Sequence, residues 1–171
     1  MAISIIDIAI LINEVEREGP LNMRSNELEV LVNWGDTDKA GIVYYPNFFK
    51  WFDIAGHQFF RSCDLAPAKL EEQRGIIIPL LDVQCTFEKA LLYDDLISIH
   101  TNVEEINRKT IKLKHNVYRE GERVAHGYEI RGWVQQSSEQ IKAVIIPDDV
   151  KSILSENIHT KTDKNRPRFN A

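Results

Sequence analysis

With 171 residues, 43% of them hydrophobic and 27% charged, the chain has the length and composition of one soluble domain able to bury its own core. Its 21 Lys and Arg against 26 Asp and Glu leave a formal charge of -5, which excludes bulk attraction to nucleic acid or to an anionic membrane surface. Two cysteines, Cys63 and Cys85, make no disulfide framework and fit a reducing, cytoplasmic setting.

The apolar start, Ile3 to Ile12, contains Asp7 and has no cationic lead, so it predicts neither a signal peptide nor a membrane span. It reads as a short amphipathic helix closed by Gly19-Pro20. From Glu27 to Trp34, Leu28, Val30, Val32 and Trp34 alternate with Glu27, Glu29, Leu31 and Asn33, which predicts a half-buried strand ending at Gly35. A polar segment follows, and Pro46, with its fixed φ and missing N–H, marks the start of a helix. At about 100° per residue, Phe48, Phe49, Trp51, Phe52, Ala55, Phe59, Phe60 and Cys63 share one half of that helix. An arc so wide predicts a helix embraced by a sheet. Asp53 falls at its border.

After Arg74-Gly75 the period returns to two. Leu81, Val83, Cys85 and Phe87, then Ile97, Ile99, Thr101 and Val103, then Ile111, Leu113, His115 and Val117 define three strands. Two more are expected over 122–134 and 139–146, with Arg119-Glu120-Gly121-Glu122 and Ser137-Ser138 as hairpin turns. Helix and strands are segregated, so the fold class is α+β. The expected organisation is an N-terminal extension over 1–26, one domain over 27–154 and a polar basic tail over 155–171.

Gly35-Asp36-Thr37-Asp38-Lys39-Ala40-Gly41, running on to Pro46, is the most informative stretch. It joins a strand end to a helix start, setting two carboxylates near a glycine that lets backbone approach a ligand and near the free N–H groups of a helix N-terminus. Acyl transfer needs a carboxylate to attack or to activate water, with an oxyanion site opposite it. A plain turn capped by Asp36 or Asp38 competes with that reading. So does a D-x-D site for Mg²⁺ beside a phosphate, although consecutive hairpin strands do not suit the parallel sheet it needs. His100, His115, His126 and His159 show no ligand spacing, and no metal site is inferred.

The run from Gly35 to Phe48 matches every position of G-D-x-D-x-x-G-[IV]-V-[YW]-[YH]-P-x-[YF], and in this it resembles the hotdog-fold thioesterases of the 4-hydroxybenzoyl-CoA thioesterase family. The similarity continues through Lys50-Trp51-Phe52-Asp53, Tyr93-Asp94-Asp95-Leu96, Asn107-Arg108-Lys109-Thr110 and Glu129-Ile130-Arg131. It implies a curved antiparallel sheet wrapped around one long helix, in homodimers or homotetramers with sites between subunits. It implies Asp38 as the catalytic carboxylate, and the Tyr45 main-chain N–H as the group polarising the thioester carbonyl. Asp53 would accept a hydrogen bond from a substrate ring hydroxyl across the dimer interface, and Gly41 and Trp51 would border the substrate. Arg108 and Lys109 would hold coenzyme A phosphates, with Lys112 and Lys114 extending that stripe.

Without the family, Asp53 is a helix-surface residue paired with His57, Trp51 is core, and Arg108 and Lys109 are a solvated turn. Lys39 departs from the pattern, standing where the aroyl-CoA type often has Pro, and the two extensions have no family role. The activity implied is metal- and cofactor-free hydrolysis of an aroyl-CoA such as 4-hydroxybenzoyl-CoA. Alternatives are an aliphatic acyl-CoA or acyl-carrier-protein thioesterase and a non-catalytic acyl-CoA-binding protein.

Overall fold

The computed structural model describes residues 24–137 and 140–155. Strand β1 (Ser25–Leu31) leads through a 3-10 turn (Trp34–Asp36) and a folded-back loop into helix α1 (Pro46–Ser62) and the short α2 (Pro67–Arg74). Strands β2 (Ile76–Ile77), β3 (Leu80–Phe87), β4 (Leu96–Ile106), β5 (Thr110–Arg119), β6 (Glu122–Gly132), β7 (Val134–Gln136) and β8 (Ile141–Ala143) follow, and α3 (Asp148–Ser155) comes last. An antiparallel sheet in the order β1-β4-β5-β6-β3 packs on α1, and β2, β7 and β8 form a second, three-stranded sheet. The segregated α+β plan expected from the sequence is therefore present.

Helix α1 buries Phe48, Trp51, Phe52, Ala55, Gly56, Phe59 and Phe60. Each buried Phe contributes about 1.5–3 kcal/mol. The N-terminal half of the helix packs with Val32, Val43, Leu91, Ile97, Ile99 and Val117, and the C-terminal half with Val103, Ile111, Leu113, Trp133 and Ile146. The inward faces of β4 and β5 are as the alternation predicts: Ile97, Ile99, Thr101, Val103, Ile111, Leu113, His115 and Val117 are all buried.

Four expectations need correction. Trp34 does not continue the inward face of β1: the Asp36 carboxylate accepts from Asn33 N–H at 2.8 Å, winds the chain into the 3-10 turn, and leaves Trp34 exposed against Tyr93. On β3 only Val83 and Cys85 pack partly on the core. Leu81 is stranded by a register shift between Leu80 and Asp82, and Phe87 lies at the open end. The strand expected over 122–134 breaks at Trp133, whose N–H leaves the ladder for the Lys109 carbonyl. Of the strand expected over 139–146, Ile141–Ala143 form β8 and 144–146 lie outside any strand; Ser138 of the expected turn and residue 139 lie outside the described residues. The amphipathic N-terminal helix and the basic tail lie outside the described residues.

His115 is the polar exception in the core. Its ring stacks on Phe52 with centroids 4.5 Å apart, its Nδ1 shares a hydrogen bond with the Thr101 hydroxyl at 2.8 Å, and its Nε2 has no partner among the described residues. Burial, assisted by the nearby Arg131 charge, pushes its pKa down to about 3, so it stays neutral in the folded protein. The unfolded chain then binds the extra proton, and stability present above about pH 6.5 is lost as the pH falls toward 3. Urea unfolding at pH 7 and pH 5 should show wild type losing about 2 kcal/mol more than His115→Gln. Equal losses would show that His115 is not the group responsible.

Candidate active site

The loop between β1 and α1 is a small hairpin held by main-chain bonds. Asp38 N–H donates to the Ile42 carbonyl at 2.9 Å, Gly41 N–H to the Asp38 carbonyl at 2.9 Å, and Tyr44 N–H to the Asp36 carbonyl at 2.8 Å. Gly41 sits at φ +78°, a left-handed conformation that glycine adopts without penalty. The Asn47 side chain donates to the Asp36 carbonyl at 2.9 Å and ties the loop to the first turn of α1. Asp38 is exposed, and its Oδ1 accepts from Ala40 N–H at 2.7 Å, which fixes the direction of the carboxylate. Asp36 faces Asn33 instead, so the two carboxylates are engaged separately.

Tyr45 caps α1, and Pro46 at the first helical position has no N–H to offer. Among the described residues no main-chain carbonyl accepts from Tyr45 N–H, which leaves it as the free donor at the positive end of a 17-residue helix. Tyr45 lines a mostly apolar groove of about 310 Å³ with Ile42, Val43, Phe48, Phe87 and Leu91. The charged residues at its rim are neutralised within the chain. Glu88 pairs with Arg123 at 2.9 Å and His126 at 2.6 Å, and Lys89 pairs with Glu122.

A second polar centre lies under the middle of α1. Arg131 and Glu129, both on the inward face of β6, are 3% and 1% exposed and form a two-pronged ion pair, Nε to Oε1 at 2.8 Å and Nη2 to Oε2 at 2.9 Å. The same Nη2 reaches Asp53 Oδ1 on α1 at 2.7 Å. Arg131 Nη1 donates to the Ile78 carbonyl at 3.3 Å and to His57 Nε2 at 3.4 Å. Burial works against the guanidinium charge, but Glu129 and Asp53 outweigh it and hold the Arg131 pKa above its ordinary value. Burial raises the Glu129 carboxyl against the pull of Arg131, and it lowers His57, which is thereby kept neutral. Gly56 makes room for this centre, since a Cβ there would lie 2.0 Å from Glu129 Oε1.

Asp38, Gly41 and Tyr45 thus share one loop at the N-terminal end of α1. Within one chain Asp53 does not line the groove beside Tyr45. Its carboxylate is half-exposed and bound to Arg131, with His57 Nδ1 3.9 Å from Oδ2. Trp51 is buried and packs on Phe48 with ring centroids 5.4 Å apart. Arg108 and Lys109 form the exposed tip of the β4–β5 hairpin. Their carbonyls accept from Ile146 and Trp133 N–H, which places them at the C-terminal end of α1, away from Asp38. Lys112 pairs with Glu104 at 2.8 Å and lies over the Tyr128 ring. The sequence assigns no role to Glu129 or Arg131, although two opposite charges two residues apart on a strand's inward face are the signal of a buried ion pair.

The model of the thioesterase-like superfamily matches residues 32–154. A 4-hydroxybenzoyl-CoA thioesterase of Pseudomonas sp. (strain CBS-3) is 31% identical over 139 residues, 77% of this chain and 99% of that protein. Among solved structures, a 4-hydroxybenzoyl-CoA thioesterase variant complexed with 4-hydroxybenzoyl-CoA superposes with TM-score 0.72 at 32% identity, covering 77% of this chain and 99% of that one. A gentisyl-coenzyme A thioesterase superposes with TM-score 0.67 at 32% identity, covering 77% and 100%. The chain belongs to the thioesterase-like superfamily, and its fold and relatives make it a hotdog-fold thioester hydrolase. Among the described residues no helix is long and apolar enough to cross a membrane.

The seating of Glu129 against α1 is open to a direct test. Helix propensity favours Ala over Gly by about 1 kcal/mol, whereas overpacking and disturbance of a buried ion pair cost about 3 kcal/mol or more. Gly56→Ala should therefore destabilise the protein in urea unfolding. A gain in stability would show that the carboxylate is not held against the helix.

Proposed function

We propose that this protein hydrolyses an aroyl-CoA, 4-hydroxybenzoyl-CoA or a similar hydroxylated aromatic thioester, to the free acid and coenzyme A. The observation that carries this reading is the pairing of the Asp38 carboxylate with the unengaged Tyr45 N–H, on one loop at a helix N-terminus beside an apolar groove. The thioester carbonyl oxygen accepts from Tyr45 N–H, and the helix dipole stabilises the negative charge that builds on it. Asp38 supplies the attack, either directly, forming a mixed anhydride that water then hydrolyses to the free acid, or by taking a proton from the water that adds to the carbonyl. The C–S bond breaks as the tetrahedral species collapses, and the coenzyme A thiolate takes up a proton from Asp38 or from solvent. No metal or redox step is required by this chemistry.

The distant placement of Asp53, Arg108 and Lys109 supports a site completed by a second copy. Phe87 and Leu91 of the groove lie at or beyond the C-terminal end of β3, whereas Leu80 at its N-terminal end pairs with Arg131, beside Asp53. Edge strand β3 has one unpaired side among the described residues and half-exposed Leu80, Leu81 and Phe87. Antiparallel pairing of β3 with a second β3 would carry each chain's Asp53 toward the other chain's groove. The relatives act, by their names, on 4-hydroxybenzoyl and gentisyl groups, both hydroxylated aromatic acyl groups, which suits a carboxylate at the far wall of a ring-sized pocket. Arg108 and Lys109, exposed at a hairpin tip and without an ion-pair partner among the described residues, suit phosphates of coenzyme A reaching out from a neighbouring copy's site.

Thiol release from 4-hydroxybenzoyl-CoA, benzoyl-CoA and aliphatic acyl-CoAs, with EDTA present, tests the reading. The hydroxylated aromatic substrate should be turned over fastest. Asp38→Asn should lose on the order of 10²–10⁴-fold in kcat, and Tyr45→Phe should change little, because the main chain does the work. Faster turnover of aliphatic chains, or an active Asp38→Asn, would overturn it.

A further inference from the structure

The polar centre around Arg131 is more elaborate than a carboxylate on a helix needs. All five guanidinium N–H groups are engaged: Nε with Glu129, Nη2 with Glu129 and Asp53, and Nη1 with the Ile78 carbonyl and His57. Arg131 therefore has no donor left for a ligand. Glu129, Arg131 and Asp53 together carry one net negative charge, beside a neutral His57. Because Arg131 Nη1 donates to His57 Nε2, the imidazole hydrogen sits on Nδ1. That nitrogen is 3.9 Å from Asp53 Oδ2, beyond hydrogen-bond reach. One oxygen of Asp53 is thus consumed and oriented by a buried cation, and the other is left as an acceptor on the half-exposed side.

We propose that Arg131 positions Asp53 as a one-oxygen acceptor, so that the site selects acyl groups bearing a neutral hydrogen-bond donor, a phenol hydroxyl or an aryl amine, opposite the thioester. The inference rests on the proposed aroyl-CoA activity and adds the residue that sets its selectivity. A ring ether offers no donor and leaves Oδ2 desolvated without a partner. A ring carboxylate meets a net negative centre in which no guanidinium N–H is free to receive it. Glu129 is the counterpart that makes Arg131 rigid, since its two oxygens fix the plane of the guanidinium.

The test compares kcat/KM among the coenzyme A thioesters of benzoate and of its 4-hydroxy, 4-amino, 4-methoxy and 4-carboxy derivatives. Wild type should prefer the hydroxy and amino substrates over the methoxy and carboxy ones by about tenfold or more. Arg131→Lys should collapse the preference for the 4-hydroxybenzoyl over the benzoyl thioester, because a single ammonium cannot bridge Glu129 and Asp53 in the same plane. The double variant Glu129→Gln/Arg131→Met removes both buried charges together, which favours retention of the fold, and it should collapse the same preference; a melting curve confirms that it is folded. A purely structural role would lower turnover of both substrates in parallel and leave their ratio intact.

If wild type prefers the hydroxyl and both variants keep that preference, Arg131 does not position Asp53. If methoxy and hydroxy substrates are used equally well while both outpace benzoyl-CoA, donor selection fails. If wild type uses the five aromatic substrates equally well, donor selection fails while aroyl-CoA hydrolysis stands; if it turns over none of them, the aroyl-CoA reading itself falls, and this inference with it.

Discussion

A helix that is apolar over half its circumference has no stable existence in water, and the need to enclose α1 governs the rest of this chain. Five Phe and a Trp on 17 residues, four of the Phe and the Trp buried, require a sheet that covers the helix along its length. Strands β4 and β5 meet that need with buried inward faces; Val30 of β1 and Val83 of β3 pack around the N-terminal half of the helix, and Ile76 of β2 joins Trp133 around its C-terminal half. Once the sheet encloses the helix, its N-terminus opens at one end, and the loop carrying Asp36 and Asp38 is tied against it by the Asn47 side chain. A site made of a helix terminus and a carboxylate is thus a by-product of the burial problem.

The same enclosure explains why charge survives inside. Glu129 and Arg131 occupy inward positions of β6 that would elsewhere hold Val or Ile, and Gly56 gives up its side chain to admit them. A buried ion pair of this kind is a weak source of stability, because desolvation consumes most of its Coulomb energy. What it supplies is direction. The Arg131 fork transmits a fixed orientation from the sheet to Asp53 on the helix, where a solvated Asp–His pair at i, i+4 would leave the carboxylate free to rotate.

Much of the fold is legible in the sequence where one residue's environment depends on its neighbours along the chain. The period-2 runs of β4 and β5, the Pro46 helix start and the Arg119–Glu122 hairpin turn follow from local geometry, and the structure holds them. Trp34 escapes such reading because a strand's alternation does not reveal where the ladder ends: Asp36, two residues further on, captures Asn33 and turns the chain. Leu81 escapes it for a kindred reason, a register shift that no alternation within β3 records. The Asp53–Arg131 contact joins residues 78 positions apart, so only the fold could reveal it.

The candidate site shows the same boundary between local and distant information. The motif from Gly35 to Phe48 is contiguous, and the structure keeps it contiguous, with Asp38, Gly41 and Tyr45 on one loop. The remaining expected residues are spread along α1: Asp53 lies at its middle, and Arg108 and Lys109 lie beyond its far end. At about 1.5 Å per residue, a 17-residue helix separates its two ends by about 25 Å. The residues proposed for substrate recognition therefore lie away from the Asp38 carboxylate of the same chain. In the proposed dimer, the two-fold pairing of β3 edges resolves that mismatch, because an antiparallel partner presents its helix in the opposite direction and brings its Asp53 toward the first copy's groove. Hydrolysis and substrate selection would then be functions of the dimer, with each copy supplying the carboxylate for one site and the ring-binding wall for the other.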